Sequence, residues 1–305
     1  MKIKVIHSAP ALVTVVAAMM CAADYLDISK ISGEGSPYLT LSILQVICIG
    51  VPTVFYCLLR GNEYRSQLGL RLMRVRHITL SIYSLMFIVS GTMALSLLMY
   101  SLFPEAFASS GMDSKNTAIT AFTTGDSIYA ALTFAILPAI LEEFLFRGVV
   151  RADYSRYGGA TAVILSSLLF GMLHFSPVRL PLYLFTGVVL ALTAGAADSI
   201  IPTVIIHIAN NLFVLYFEKY IYRIAGKHSG GLILLTFIVV LVTLISAILF
   251  FAKAERLYWE FGAMNRPSPL RKKVSAADSP LFVQAILSPT LLLLVVFWIV
   301  VSFIL

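Results

Sequence analysis

The chain has 305 residues, 59% hydrophobic and 12% charged, with a formal net charge of +7 and a mean hydropathy of +0.93. A soluble domain carries about 25% charged residues, so an ordinary soluble fold is excluded and little sequence remains for an extramembrane domain. The positive balance is not a nucleic-acid signal, because the basic residues lie in short loops between apolar runs, where they set topology and meet anionic lipid.

Apolar runs of about spanning length occur in chain order at approximately 5–23, 38–59, 78–103, 127–150, 160–176, 180–197, 201–217, 231–252 and 281–304. The expected fold is all-α: a polytopic transmembrane helix bundle of about eight to nine spans around a polar catalytic cavity. It reads as one integral membrane domain over 1–305, with N-terminal spans in 1–126, core helices carrying the chemistry in 127–217 and C-terminal spans in 218–305. The first run follows Met-Lys-Ile-Lys and reads as an uncleaved span, since no small-residue cleavage site follows it. Cys21, Cys48 and Cys57 lie inside apolar runs without metal-type spacing and read as packing residues.

The loops fix an orientation. Segments 60–77, 147–156 and 253–273 are rich in arginine and lysine, and with nine spans they fall on the same side as Lys2 and Lys4. The opposite loops, 24–37 and 104–126, are acidic or polar, and only 218–230, with Lys219, Arg223 and Lys227, dissents. The positive-inside rule then places the N-terminus in the cytoplasm and the C-terminus outside.

The fourth run holds two adjacent carboxylates, Glu142 and Glu143, in Leu137-Pro-Ala-Ile-Leu-Glu-Glu-Phe-Leu-Phe-Arg147. A carboxylate in hydrocarbon costs several kcal/mol unless paired, protonated or wetted. Glu143 and Arg147 have i, i+4 spacing with the acid N-terminal, the favourable order for an ion pair. Glu142 points about 100° away and is left for another task. Pro138 deprives the Phe134 carbonyl of its helical donor and is expected to bend the helix just before the pair.

Three further polar groups follow. His174 closes Phe170-Gly-Met-Leu-His, and His207 and Asn211 share one helix face at i, i+4. Glu142 and His174 are each sixteen residues from Gly158, the expected turn. In a regular antiparallel pair they lie at one level, ~24 Å along each helix, and roughly 10 Å below the cytoplasmic edge of the hydrocarbon if the charged tip protrudes. A lone membrane histidine is often an interhelical hydrogen-bonding residue, and a Glu–Arg pair near a helix end is often structural. Convergence of a carboxylate, two imidazoles and an amide in three neighbouring runs favours chemistry. By contrast His7, His77 and His228 sit at loop edges and read as solvated.

A carboxylate and an imidazole sharing a water form a general base. A second imidazole and a carboxamide can donate to an oxyanion. The expected reaction is peptide-bond hydrolysis without a covalent intermediate: Glu142 takes the water proton, His174 orients the water, and His207 with Asn211 stabilises the tetrahedral oxyanion. No cofactor is expected. A zinc site using Glu142, His174 and His207, with the Asn211 oxygen, is the alternative, although no His-Glu-x-x-His pair exists and asparagine is an uncommon zinc ligand. No Gly-x-Ser-Gly nucleophile is visible, nor a pair of membrane aspartates; Gly125-Asp126 lies at a helix entrance.

These residues carry a resemblance. Glu142-Glu143-x-x-x-Arg147, Phe170-x-x-x-His174 and His207-x-x-x-Asn211, in this order and at roughly thirty-residue intervals, resemble the three motifs of the CAAX-protease and bacteriocin-processing (CPBP or Abi) family, which includes the Ras-converting CAAX prenyl endopeptidase. The resemblance covers about 127–217. It implies an α-helical intramembrane endopeptidase opening to the cytoplasmic side, with Glu142 and His174 activating water and His207 and Asn211 forming the oxyanion site. The older description of the family as metalloproteases keeps the zinc alternative open. The implied partners are a membrane-associated protein or peptide substrate and the lipid bilayer, with no nucleic acid. The absence of an organelle address reads as a bacterial cell membrane. Two other classes stay open: a scaffold or immunity protein that only binds a peptide in the pocket, and a proton-coupled transporter, for which neither a repeat nor a pair of broken helices is visible.

Overall fold

A computed structural model describes residues 5–26, 31, 37–109, 127–226, 230–262 and 279–304. The described residues form helices and connecting turns, with no strand among them. The principal helices are α1 (Val5–Asp24), α2 (Pro37–Arg60), α3 (Arg76–Leu102), α4 (Ser127–Ser155), α5 (Gly159–Met172), α6 (Leu180–Ala197), α7 (Ile201–Tyr216), α8 (Glu218–Gly226), α9 (Gly231–Gly262) and α10 (Pro289–Ile304). The all-α membrane bundle is thus what the apolar runs form. The loop residues at 27–30, 32–36 and 110–126, with Gly125-Asp126, and the positions Lys2, Lys4, Lys227, His228 and 263–278 lie outside the described residues, as does the side chain of His7.

Five of the helices, α2, α3, α4, α6 and α9, are long and apolar enough to cross a membrane; α1, α5, α7 and α10 are shorter apolar helices. The fifth run is the clearest departure from expectation. Its helix stops at Met172 after 14 residues, about 21 Å, and the chain turns through His174 and Phe175, whose φ is +48°. The ninth run is broken, with one helix over Ser279–Ile286 and a second starting at Pro289. Ser288 caps the second helix, its Oγ accepting from the Leu291 amide at 3.4 Å, and Pro289 suits the first helical position. At the other extreme α9 has 32 residues, about 48 Å, so its charged last turns extend beyond a hydrocarbon core of about 30 Å.

Prolines shape α2 and α4 alike. Each has a wide π-helical turn whose last residue lies two positions before a proline: Val46–Gly50 before Pro52, and Leu132–Ile136 before Pro138. A proline supplies no N–H, and a π-turn re-routes the backbone bonds around that gap. In α4 two side-chain amides serve the disturbed carbonyls: Gln45 Nε2 donates to the Thr133 carbonyl at 3.0 Å, and Asn211 Nδ2 to the Ala135 carbonyl at 3.4 Å. A third π-helical stretch, Phe144–Val150, follows the glutamate pair. Glu142 and Glu143 therefore ride on a short α-helical piece, Leu137–Glu143, between two wide ones.

Two apolar cores flank this helix. One gathers α1, α2, the C-terminal half of α4, α5 and α10; the other gathers α3, α6 and α9, with Ile206 of α7. Small residues allow close approach, as expected between membrane helices. Ser84 and Thr193, both 0% exposed, bond across α3 and α6 at 2.9 Å, and Gly91 leaves room for the Phe185 ring.

The helix ends around the Gly158 turn are tied down by polar contacts. Asp153, at the tip of α4, accepts from Arg60 Nη2 at 2.9 Å and from the Tyr56 hydroxyl. Tyr64 donates to the Val149 carbonyl at 3.1 Å. The Ile200 amide donates to the Gly69 carbonyl at 3.0 Å, and Arg71 pairs with Asp198. This stitching holds α4 and the start of α7 to the segment between α2 and α3. His77 departs from the solvated reading: it is 1% exposed, with Nδ1 accepting the Arg74 amide at 3.4 Å, at the start of α3.

Outside the spans, α8 opens with the buried Glu218, whose carboxyl is pushed up to about 7 by burial, with Arg179 opposing. The folded state then holds a proton that the unfolded state releases above its ordinary value near 4.5. Stability is lost as pH rises through that window. Glu218→Gln should raise the thermal midpoint at pH 8 and bring no gain at pH 5, read by thermal unfolding in detergent.

Candidate active site

The hairpin from α4 to α5 brings the first two motifs together. Gly158, with φ +112°, makes a turn that a side-chain-bearing residue adopts only with strain. Phe146 and Phe170 are each twelve residues from it, and their rings meet edge to face at 5.5 Å. The register expected from counting thus holds to this level. The regular-helix premise nonetheless fails on both arms: the π stretch Phe144–Val150, which includes Phe146, shortens the rise in α4, and His174 stands in the turn after α5. The ~24 Å depth is accordingly not carried by the structure.

Glu143 and Arg147 are both 0% exposed, and Arg147 Nη1 donates to Glu143 Oε1 at 2.8 Å. The i, i+4 pair is therefore present, and it is deeper and more connected than an interfacial pair. Arg147 Nη2 donates to the Gly187 carbonyl at 3.2 Å, and its guanidinium lies 4.4 Å from the Phe170 ring centroid. Gly187 is needed for that carbonyl to approach, because a Cβ there would stand 2.9 Å from the Ser167 Cβ. Gly187→Ala should push α5 from α6 and cost about 1–3 kcal/mol, measured as a lower detergent-unfolding midpoint.

His207 was expected beside Asn211, and the helix α7 places both on one side. The sequence did not reveal that His207 would join the two carboxylates. Its Nδ1 is 2.9 Å from Glu143 Oε1, and its Nε2 is 3.9 Å from Glu142 Oε2. A carboxylate charged against Arg147 can only accept, so Nδ1 carries the proton and Nε2 is turned towards Glu142. Glu143 is thus both the partner of Arg147 and the acceptor that orients the His207 ring. Glu142 retains 12% side-chain exposure where Glu143 has none.

His174 is held from three directions. Its Nδ1 lies 3.0 Å from the Phe170 carbonyl, which can only accept, so Nδ1 again carries the proton and Nε2 is the acceptor of a neutral ring. The Phe170 ring meets it edge to face at 5.0 Å, and Tyr183 stacks on it with centroids 3.8 Å apart and planes 19° apart. Phe170 also meets His207 edge to face at 5.7 Å, so one aromatic ring organises Arg147, His174 and His207. Asn211 uses one amide hydrogen for Ala135 and keeps a second. Sequence reasoning missed Tyr183 and Gly187: neither stands in a motif, and their roles depend on how α5 and α6 pack.

Residues 124–213 match the family model described as Type II CAAX prenyl endopeptidase Rce1-like. The match spans under a third of the chain and contains Glu142, Glu143, Arg147, His174, His207 and Asn211. Over this segment the chain is similar to that family, in agreement with the resemblance carried by the three motifs. No curated protein and no solved structure matches the chain.

Proposed function

We propose that the protein is an intramembrane endopeptidase that hydrolyses a peptide bond of a membrane-associated or lipidated protein or peptide. The Rce1-like match supports a CAAX-type protease. The observation that carries the assignment of roles is the division of labour at His207: Glu143 is already engaged by Arg147 and Nδ1, which leaves Glu142 as the partly accessible carboxylate facing Nε2.

In this reading a water held by His174 Nε2 gives its proton to Glu142 as its oxygen attacks the scissile carbonyl carbon. The carbonyl π electrons pass to oxygen, and that oxyanion is stabilised by the second Asn211 amide hydrogen and by His207 Nε2 in its protonated form. The C–N bond then breaks, and the leaving amine takes the proton from Glu142. The positive charge of His207 is offset by carboxylates on both sides.

A metal-dependent version would draw on Glu142, His174 and His207. Nδ1 of His207 is committed to Glu143 and Nδ1 of His174 to a backbone carbonyl, which leaves Nε2 of each ring as the atom that would face a metal. Among the described residues no three His, Cys, Asp or Glu side chains are grouped to hold a metal. Catalysis is accordingly proposed without zinc or another cofactor. The site lies in an integral membrane protein, which we place in a bacterial cell membrane with its N-terminus in the cytoplasm and with no nucleic-acid partner.

The test is cleavage of an internally quenched peptide carrying a farnesyl-cysteine followed by three residues, by purified protein in proteoliposomes. Cleavage that persists in chelator, by protein without stoichiometric metal, is expected. Loss in chelator with recovery on adding zinc supports the metal version instead.

A further inference from the structure

The motifs and the mechanism leave Tyr183 unused, although it makes the closest ring contact in the site. It lies in the first turn of α6, and its ring covers one face of the His174 imidazole at 3.8 Å and 19°. Glu142 and Arg179 are the charged groups in its electrostatic surroundings. His174 needs such support, because it stands two residues beyond the end of α5 and immediately before Phe175 at φ +48°. A helix does not fix this imidazole, so its plane is set by what packs on it. The Phe170 carbonyl fixes Nδ1 and the tautomer, and a stacked ring restrains rotation out of plane.

We propose that Tyr183 is a positioning residue for hydrolysis: its ring holds the plane of His174 and so keeps Nε2 aimed at the water whose proton passes to Glu142. The proposal rests on the endopeptidase reading above. Such a residue affects the chemical step more than binding.

The experiment compares wild type, Tyr183→Leu, Tyr183→Phe and Glu142→Gln on the farnesyl-cysteine peptide in proteoliposomes. It adds NMR of histidine-labelled protein in detergent micelles. Tyr183→Leu should lower kcat about 10- to 100-fold, the scale of a misplaced catalytic group, with KM changed less than about two-fold. Tyr183→Phe, which keeps the ring face, should recover kcat to within about three-fold. The ring-current shift of the His174 ring protons should disappear in Tyr183→Leu and survive in Tyr183→Phe. Unimpaired kcat in Tyr183→Leu while Glu142→Gln is inactive overturns the role of Tyr183 alone. Equal losses in Tyr183→Leu and Tyr183→Phe, or an unchanged His174 shift in Tyr183→Leu, do the same. Wild-type cleavage by Glu142→Gln overturns the role of Glu142 as the base, and absence of cleavage by the wild type overturns the endopeptidase reading and the hydrolytic role of Tyr183 with it.

Discussion

Glu142→Gln is expected to lower kcat/KM by at least about 10³-fold while leaving folding and membrane insertion intact. General-base catalysis contributes about 10²–10⁴-fold, and the amide is nearly isosteric with the carboxylate it replaces. The structure gives a reason for its tolerance: Glu142 is partly accessible, and the charge of Arg147 is matched by Glu143 rather than by Glu142. The loss should fall on kcat with little change in KM, as for a group that acts in the transition state. A protein that used the pocket only to bind a peptide would keep its biological phenotype in Glu142→Gln, so the same variant separates enzyme from scaffold.

Arg147→Met should act oppositely, with a large loss of stability accompanying any loss of activity. Removing one partner of a buried ion pair leaves an uncompensated charge and costs about 3–5 kcal/mol. Arg147 is 0% exposed, and it holds the Glu143 carboxylate, the Gly187 carbonyl and the Phe170 face at once. Lysine should not substitute for it, having no planar fork to reach two acceptors. The double variant Glu143→Gln/Arg147→Met removes both charges and should recover much of the unfolding midpoint. It should remain poorly active, because a neutral amide at position 143 removes one of the two carboxylates that offset the charge of His207. Thermal unfolding in detergent, paired with peptide cleavage, reads both parts.

Much of this site is legible in the chain because its chemistry is costly where it stands. Two carboxylates in an apolar run, an arginine four residues on, and a histidine and asparagine on one helix face each announce themselves against hydrocarbon. The Gly158 turn fixes the pairing of α4 with α5, which the Phe146–Phe170 contact reproduces. The dual role of Glu143 was not legible, because it depends on how α7 docks against α4. Nor did the sequence reveal that His174 lies past a helix end: an apolar run continues through the turn, and hydropathy does not register where backbone hydrogen bonds stop. Pro138 did signal a disturbance, but the compensating donors, Gln45 and Asn211, come from distant helices. Tyr183 escaped for the same reason, since an aromatic residue in an apolar run reads as packing until its stacked partner is known.

The central claim is that Glu142 carries out proteolysis in the membrane. It is tested most directly by comparing the protein C-termini of membranes from cells expressing the wild type with those from cells expressing equal amounts of inserted Glu142→Gln. New C-termini present with the wild type and absent with Glu142→Gln are predicted. The same new C-termini appearing in both membranes would contradict the account.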